Sequence, residues 1–233
     1  INRVNLDFTM NRSKGFLKGT AGLICVATAM VAAPMIASAS GVAYQANKDS
    51  SETRATPGSY FGDEINLTVG PQPTMTRFSF SYYVDTRLQG SPSKNMTLSL
   101  HQMDGAMVGG RNAPGTVIES WTFPVSPSNT SSVDVSINIP GGLVVPQNLG
   151  WTISVTGLVG SDRVGLWAAN TVVGSSLNDY WVNTGGTWGL ATLAGGTPGT
   201  FAATVLAVPE PSVSQLGLIG IAFLFGSRFM RRK

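Results

Sequence analysis

Apolar and polar residues alternate along much of the chain between positions 60 and 207. Asn66 and Thr68 separate Ile65, Leu67 and Val69, while Ser79, Ser81 and Tyr83 separate Phe78, Phe80, Tyr82 and Val84. The same beat continues in Met96, Leu98 and Leu100, in Val133, Val135, Ile137 and Ile139, and in Trp151, Ile153 and Val155. The intervening positions are filled by Ser, Thr, Asn, Asp and His. A period of two sends successive side chains to opposite faces of a strand, so each run predicts a half-buried β-strand with one apolar and one polar face. Further strands are predicted over 116–123, 163–168, 179–183 and 201–208. Clusters of Gly, Pro, Asn and Ser at 90–94, 104–105, 109–115, 124–129 and 140–142 read as the turns between them.

No stretch between 40 and 207 sustains a helical period, and no repeat of solenoid or propeller length is visible. Eight or nine short strands without helices predict an all-β domain, an antiparallel β-sandwich of jelly-roll type over 60–207. A closed barrel is the alternative. Residues 40–59, polar and bounded by Gly and Pro, read as a flexible arm.

The ends are different in kind. Arg12, Lys14 and Lys18 precede an uncharged apolar run from Gly19 to Ala37, which closes on Ala37-Ser38-Ala39. A basic segment, an apolar segment and a small-x-small site in that order predict a secretory signal peptide over 1–39. Signal peptidase would recognise Ala37 and Ala39 and cut after Ala39, following delivery to the Sec translocon. Met10 reads as the true start, with residues 1–9 upstream of it. An uncleaved membrane anchor is the alternative for this run. Cys25, the single cysteine, lies inside it, so the exported part has no disulfide or thiol chemistry.

The charge balance follows the same division. The chain holds 15 Lys and Arg against 12 Asp and Glu, a net charge of +3. Four bases lie before residue 40 and four after 207, with one acid at each end, which leaves the middle with seven bases and ten acids. A nucleic-acid-binding domain would carry its bases on the folded part, so the composition excludes that class.

The C-terminus reads Val208-Pro209-Glu210-Pro211, then an apolar stretch over 213–227, then a basic tail with Arg228, Arg231, Arg232 and Lys233. Two prolines stop the preceding strand, and the apolar stretch reads as a short transmembrane helix with the basic cluster held on the cytoplasmic side. In this order, and paired with the N-terminal signal, residues 208–233 closely resemble the PEP-CTERM sorting signal of exported bacterial proteins. The resemblance implies recognition and processing by an exosortase, a membrane-embedded transpeptidase-like enzyme. It also implies a Gram-negative host that makes exopolysaccharide and biofilm. The localisation that follows is an inner-membrane-anchored intermediate, then the cell surface or extracellular matrix. A plain tail anchor is the alternative. The stretch over 60–190, with Phe61-Gly62-Asp63-Glu64-Ile65 and Asp179-Tyr180-Trp181, also resembles β-sandwich domains of PEP-CTERM proteins, a likeness that brings no catalytic residue with it.

Candidate chemistry is sparse. His101 is the only histidine, and its strand phase puts it on the solvent-facing side with Thr97 and Ser99. The acids Asp63, Glu64, Asp85, Asp104, Glu119, Asp134, Asp162 and Asp179 offer a carboxylate pair to a polysaccharide-acting enzyme only if two of them converge. No calcium-loop spacing is present, and neither metal nor cofactor is expected. Sugar contact is the favoured binding role, with Asn178, Asp179, Tyr180, Trp181 and Trp188 as the densest mixture of aromatic and polar groups and Tyr83 as a weaker candidate. Burial of Trp181 or Trp188 in the core is the plainer reading. The sequence thus points to a non-catalytic exported β-sandwich that is structural or touches exopolysaccharide, with a glycosidase or lyase as the competing class.

Overall fold

A computed structural model of the chain describes residues 2–7, 39–55, 59–84, 94–125, 132–159, 162–193 and 199–209. Contacts divide the chain into two compact units. One comprises Ile1–Phe8 and Ser40–Glu210, and the other Thr9–Ala39 and Pro211–Lys233. Apart from Ala39, the second unit lies outside the described residues, and with it both expected flanking helices.

Every regular element among the described residues is a strand, and none of them forms a helix long and apolar enough to cross a membrane. In chain order the strands are β1 (Asn2–Asp7), β2 (Gly41–Ala55), β3 (Ser59–Asn66), β4 (Thr74–Val84), β5 (Asn95–Gln102), β6 (Met107–Val108), β7 (Arg111–Asn112) and β8 (Val117–Pro124). They continue with β9 (Val133–Val144), β10 (Asn148–Thr156), β11 (Val164–Val173), β12 (Ser175–Ser176), β13 (Tyr180–Thr184), β14 (Thr187–Ala191) and β15 (Ala203–Val208).

Two sheets carry the fold. Sheet A has the order β1-β9-β4-β11-β2-β15, with β15 also paired to β4; sheet B has the order β14-β13-β3-β10-β5-β8, with β12 added to β3. All these ladders are antiparallel except β1 on β9, which runs parallel. Both β11 and β15 bridge β2 and β4, at different ends. Residues 164–166 of β11 meet 82–84 of β4, while residues 203–208 of β15 meet 74–80.

The predicted apolar faces are the ones buried. Phe78, Met96, Leu98, Leu100, Ile137, Trp151 and Ile153 are fully enclosed, and Phe80, Tyr82, Val133, Val135 and Val155 nearly so. Trp151 of sheet B packs edge-on against Phe78 of sheet A at 5.4 Å, and tilts against Phe80 at 5.8 Å. Phe201 closes the cluster, 6.3 Å from Trp151 and 6.0 Å from Phe61. One apolar layer therefore joins the two sheets, as a sandwich requires.

Several expectations need correction. Residues 40–59 are not a loose arm: β2 covers most of them, pairing with β11 over residues 45–55 and with β15 over 41–46. Main-chain ladders hold β2, and over 41–48 the buried side chains are Ala43, Tyr44 and Ala46, a poor alternation. The glycines expected to end a strand at 140–142 lie inside β9. Gly141 and Gly142 adopt φ of 80° and 74°, and the register slips between Met75 and Arg77 of β4, so the cluster is a bulge rather than a turn. The 104–115 stretch contains the small hairpin β6–β7, and β14 was missed altogether. β1 occupies positions assigned to sequence upstream of the start; the rest of the expected signal peptide, Ala37 included, falls outside the described residues except for exposed Ala39.

Trp151→Ala would remove the ring around which both sheets pack. We expect a loss of about 3–5 kcal/mol in unfolding free energy by urea titration, the range for emptying a fully buried aromatic site.

Candidate functional site

Three polar arrangements lie on or within the sandwich: one open, one covered and one inside. The open one is on the outer face of sheet A. The alternation that buries Phe78, Phe80, Val135 and Ile137 sends Arg77, Ser79, Ser81, Asp134, Ser136 and Asn138 outward. Register then sets them side by side: Arg77 opposite Asn138, Ser79 opposite Ser136, Ser81 opposite Asp134. On the far side Thr204 of β15 stands opposite Ser79 and also opposite Gln45 of β2. The result is a groove of about 510 Å³ floored by hydroxyls and edged by Asn47, Lys48 and Arg77.

Its groups are ordered by one another. Ser79 Oγ donates to Ser136 Oγ at 3.0 Å, Ser81 Oγ to Asp134 Oδ1 at 2.7 Å, and Arg77 Nε to Asn138 Oδ1 at 3.0 Å. Lys48 Nζ donates to Ser132 Oγ at 2.9 Å and sits 4.6 Å above the Trp167 ring. Hydroxyls that both donate and accept, beside an amide, a carboxylate and two cations, match the requirements of a polyol ligand.

The covered arrangement is on the outer face of sheet B. His101, Glu64, Thr152, Trp181, Trp188 and Leu190 share this face by register. The connection over 103–116 folds back across it. Asp104 secures its base, accepting from Thr116 N at 2.6 Å and from Thr116 Oγ1 at 2.7 Å, and these bonds hold the Asp104 carboxyl below the usual range. Arg111 reaches Asp179 at 3.5 Å, and a Cβ on Gly150 would stand 2.7 Å from Met103 Sδ.

His101 is therefore on the predicted face but is not solvent-facing: it is 7% exposed. Its Nε2 lies 2.9 Å from Thr152 Oγ1, its Nδ1 3.3 Å from the Gly115 carbonyl, and the Trp188 ring meets it edge-on. Burial pushes the imidazole below its ordinary value, because the charged form loses its hydration there. A hydroxyl bonded to an imidazole is half of a nucleophile–base arrangement, but here the second ring nitrogen faces a carbonyl and Thr152 is enclosed.

The expected sugar contacts divide among these surroundings. Trp181 is fully buried, outside the inter-sheet core, with its Nε1 donating to Glu64 Oε2 at 3.3 Å, and so presents no face to a ligand. Trp188 is half-buried against His101, Tyr180 packs on Phe201 at 5.4 Å, and Asp179 faces Arg111. Only Asn178 is exposed, and its carbonyl accepts from Gly199 N. Tyr83 is also buried, against Trp167. Of the sorting motif, Val208 ends β15 and Pro209 is exposed. Glu210, Pro211 and the basic tail with Arg228, Arg231, Arg232 and Lys233 lie outside the described residues.

Among the described residues the carboxylates meet separate partners. Glu64 Oε1 accepts from Asn148 Nδ2 at 2.8 Å, Asp162 binds buried Lys94 at 3.1 Å, and Glu119 accepts from its neighbour's backbone. Asp85 lies outside the described residues. Among the described residues no group of three or more His, Cys, Asp or Glu could hold a metal.

The interior arrangement centres on Asp63, which shares the inward face of β3 with Phe61 and Ile65 and is fully enclosed. Ser176 Oγ donates into its carboxyl, 2.8 and 2.9 Å from the two oxygens; Phe201 N donates at 3.1 Å and Glu64 N at 2.8 Å. Thr200 Oγ1 donates to Ser176 Oγ at 3.2 Å, so β3, the 175–177 segment and the 199–201 segment are tied through one side chain. Burial raises the Asp63 carboxyl to about 8 against these bonds, and Asp63 in turn adds to the rise that burial imposes on the Tyr44 hydroxyl. Sequence alternation hid this hub, because an acid in an inward phase breaks the pattern that defines a strand.

No protein-family model matches the chain, and no curated protein matches it. Among solved structures it aligns with one described as the structure of infectious bursal disease virus Gx strain, at a TM-score of 0.32 and 11% identity. The alignment spans 75% of this chain and 37% of that one, an overlap too loose to carry an argument.

The Asp63 environment sets a pH dependence. A carboxyl raised from 3.8 to about 8 contributes stability that is whole below the lower value and is lost as pH climbs through the upper one. We expect unfolding free energy to fall by a few kcal/mol between those limits. In Asp63→Asn, which keeps the shape without the charge, the slope should flatten, and urea titrations across the window check this.

Proposed function

We propose that this is an exported protein whose sandwich, a jelly roll in topology, makes non-catalytic contact with polysaccharide through the groove on sheet A. The topological reading is supported by the pairing pattern. β2 pairs with β11, β3 with β10, β4 with β9 and β5 with β8, as in one long antiparallel ribbon folded at the β5–β8 connection. Rolling that ribbon brings β11 onto β4 and β10 onto β5, which are the remaining ladders among these eight strands.

The observation that carries the binding role is the hydroxyl row of Ser136, Ser79 and Thr204, laid across three adjacent strands in an open groove. A sugar offers several hydroxyls at once, and a floor of groups that donate and accept can meet them without a charged centre. The non-catalytic reading rests on the carboxylates, which are committed to separate local partners. Export and sorting rest on the sequence alone: the signal peptide over 1–39, and the Val208-Pro209-Glu210-Pro211 motif with its apolar stretch and basic tail. On this reading an exosortase processes the membrane-held intermediate, and the domain then serves at the cell surface or in the exopolysaccharide matrix.

Two measurements test the proposal. Affinity electrophoresis of the full chain through gels containing different polysaccharides should show retardation by at least one. Ser136→Tyr, which fills the groove while suiting a strand, should weaken that retardation about tenfold or more with an unchanged melting temperature. Trp188→Ala should bind as the native chain does. Binding that survives the filled groove removes the site. Mass spectrometry of the protein from its host should find residues 1–39 and those beyond the Pro209–Pro211 region absent; an intact chain removes the sorting assignment.

A further inference from the structure

The charge of the groove goes further than its hydroxyls. Between residues 40 and 207 acids outnumber bases ten to seven, yet the groove wall holds two bases, Lys48 and Arg77, and a single acid, Asp134. That acid is occupied by the Ser81 hydroxyl at 2.7 Å. Arg77 is exposed and spends its Nε on Asn138, which leaves the terminal guanidinium nitrogens of the fork directed elsewhere. Lys48 is exposed too, held by a serine hydroxyl and an indole face rather than by a carboxylate. Neither cation forms an ion pair among the described residues, whereas Lys94 and Arg111 each have an acidic partner.

From this we infer that the groove takes a polysaccharide bearing anionic groups, an inference that rests on the glycan-contact reading above and names its ligand class. The hydroxyl floor meets the sugar ring, and the two cations at the edges meet the charge. A guanidinium fork presents two parallel N–H groups to an oxyanion, and an ammonium supplies an undirected charge beside it. Asp134 stays out of the way because Ser81 holds it. A neutral glycan would leave both cations unanswered in a domain that is otherwise acidic. A carboxylate on a uronic acid and a sulfate ester share the required chemistry, and the test separates them.

The full chain would be run through gels containing polygalacturonate, the same polymer with its carboxyls reduced to alcohols, dextran sulfate, or polyglutamate. Retardation is expected with polygalacturonate, dextran sulfate or both, which assigns the anion, and it should weaken as salt rises. The carboxyl-reduced polymer should be held about tenfold more weakly, and so should polygalacturonate or dextran sulfate by a K48Q/R77Q double variant whose melting temperature is unchanged. Equal retention of the reduced polymer, or full binding by the double variant, would overturn the anionic assignment while leaving glycan contact standing. Polyglutamate held as strongly as the acidic glycan would overturn it as well, since charge alone would then suffice. Retardation by no polysaccharide, neutral or acidic, overturns the glycan reading itself.

Discussion

The packing of sheet A on sheet B through the Trp151 cluster is the interaction from which the other features follow. Residues 40–207 contain no cysteine and no described helix, so the two sheets have only each other's apolar faces to bury. Trp151 touches Phe78, Phe80 and Phe201, residues of β4 and of the segment before β15. That contact fixes which face of every strand turns inward. In a pleated strand the opposite face is fixed with it: if Phe78 and Phe80 go in, Arg77, Ser79 and Ser81 must stand out together. The groove on sheet A is therefore the complement of the core, and its hydroxyl row is as strongly specified as the apolar layer beneath.

Period-two alternation made most strands legible. It worked where large apolar residues face the other sheet, as in β4, β5, β9 and β10. It failed where backbone pairing carries the strand. Over 41–48 β2 buries only Ala43, Tyr44 and Ala46, so its side chains give little beat there, yet its main chain bonds along nearly its whole length. It failed again where glycine marks a bulge inside a strand, because Gly141 and Gly142 look the same in sequence whether the ladder stops or only slips. Local composition cannot tell these cases apart, since the difference lies in a partner strand about sixty residues away.

The site shows the same limit from another side. The polar faces of 79–81 and 134–138 were visible one strand at a time, but their adjacency depends on register, which no single strand encodes. The mixture at 178–188 was visible because it is compact in sequence. Its burial was not, because the cover comes from residues 103–116, which read as turns. Once that connection lies over sheet B, an outward His101 becomes an enclosed one and Trp181 turns its indole N–H to Glu64. Strand phase assigns a side chain to a face; it does not say whether the face meets water.

Asp63 makes this distinction sharpest. A carboxyl in an inward phase is costly unless donors meet it, and here the donors come from Ser176, Phe201 and its own neighbour Glu64. Two of those three lie late in the chain, so the hub spends its polarity on holding the 175–177 and 199–201 segments against β3. From Phe201 the chain passes directly into β15, which is paired on β2 and β4 and ends at Val208, the first residue of the proposed sorting motif. A pull on the motif would thus be resisted by two ladders and then by a buried polar anchor, rather than by a peeling edge. The carboxyl inside the sandwich makes physical sense as the fastening of its last strand, and the same strand lends Thr204 to the groove.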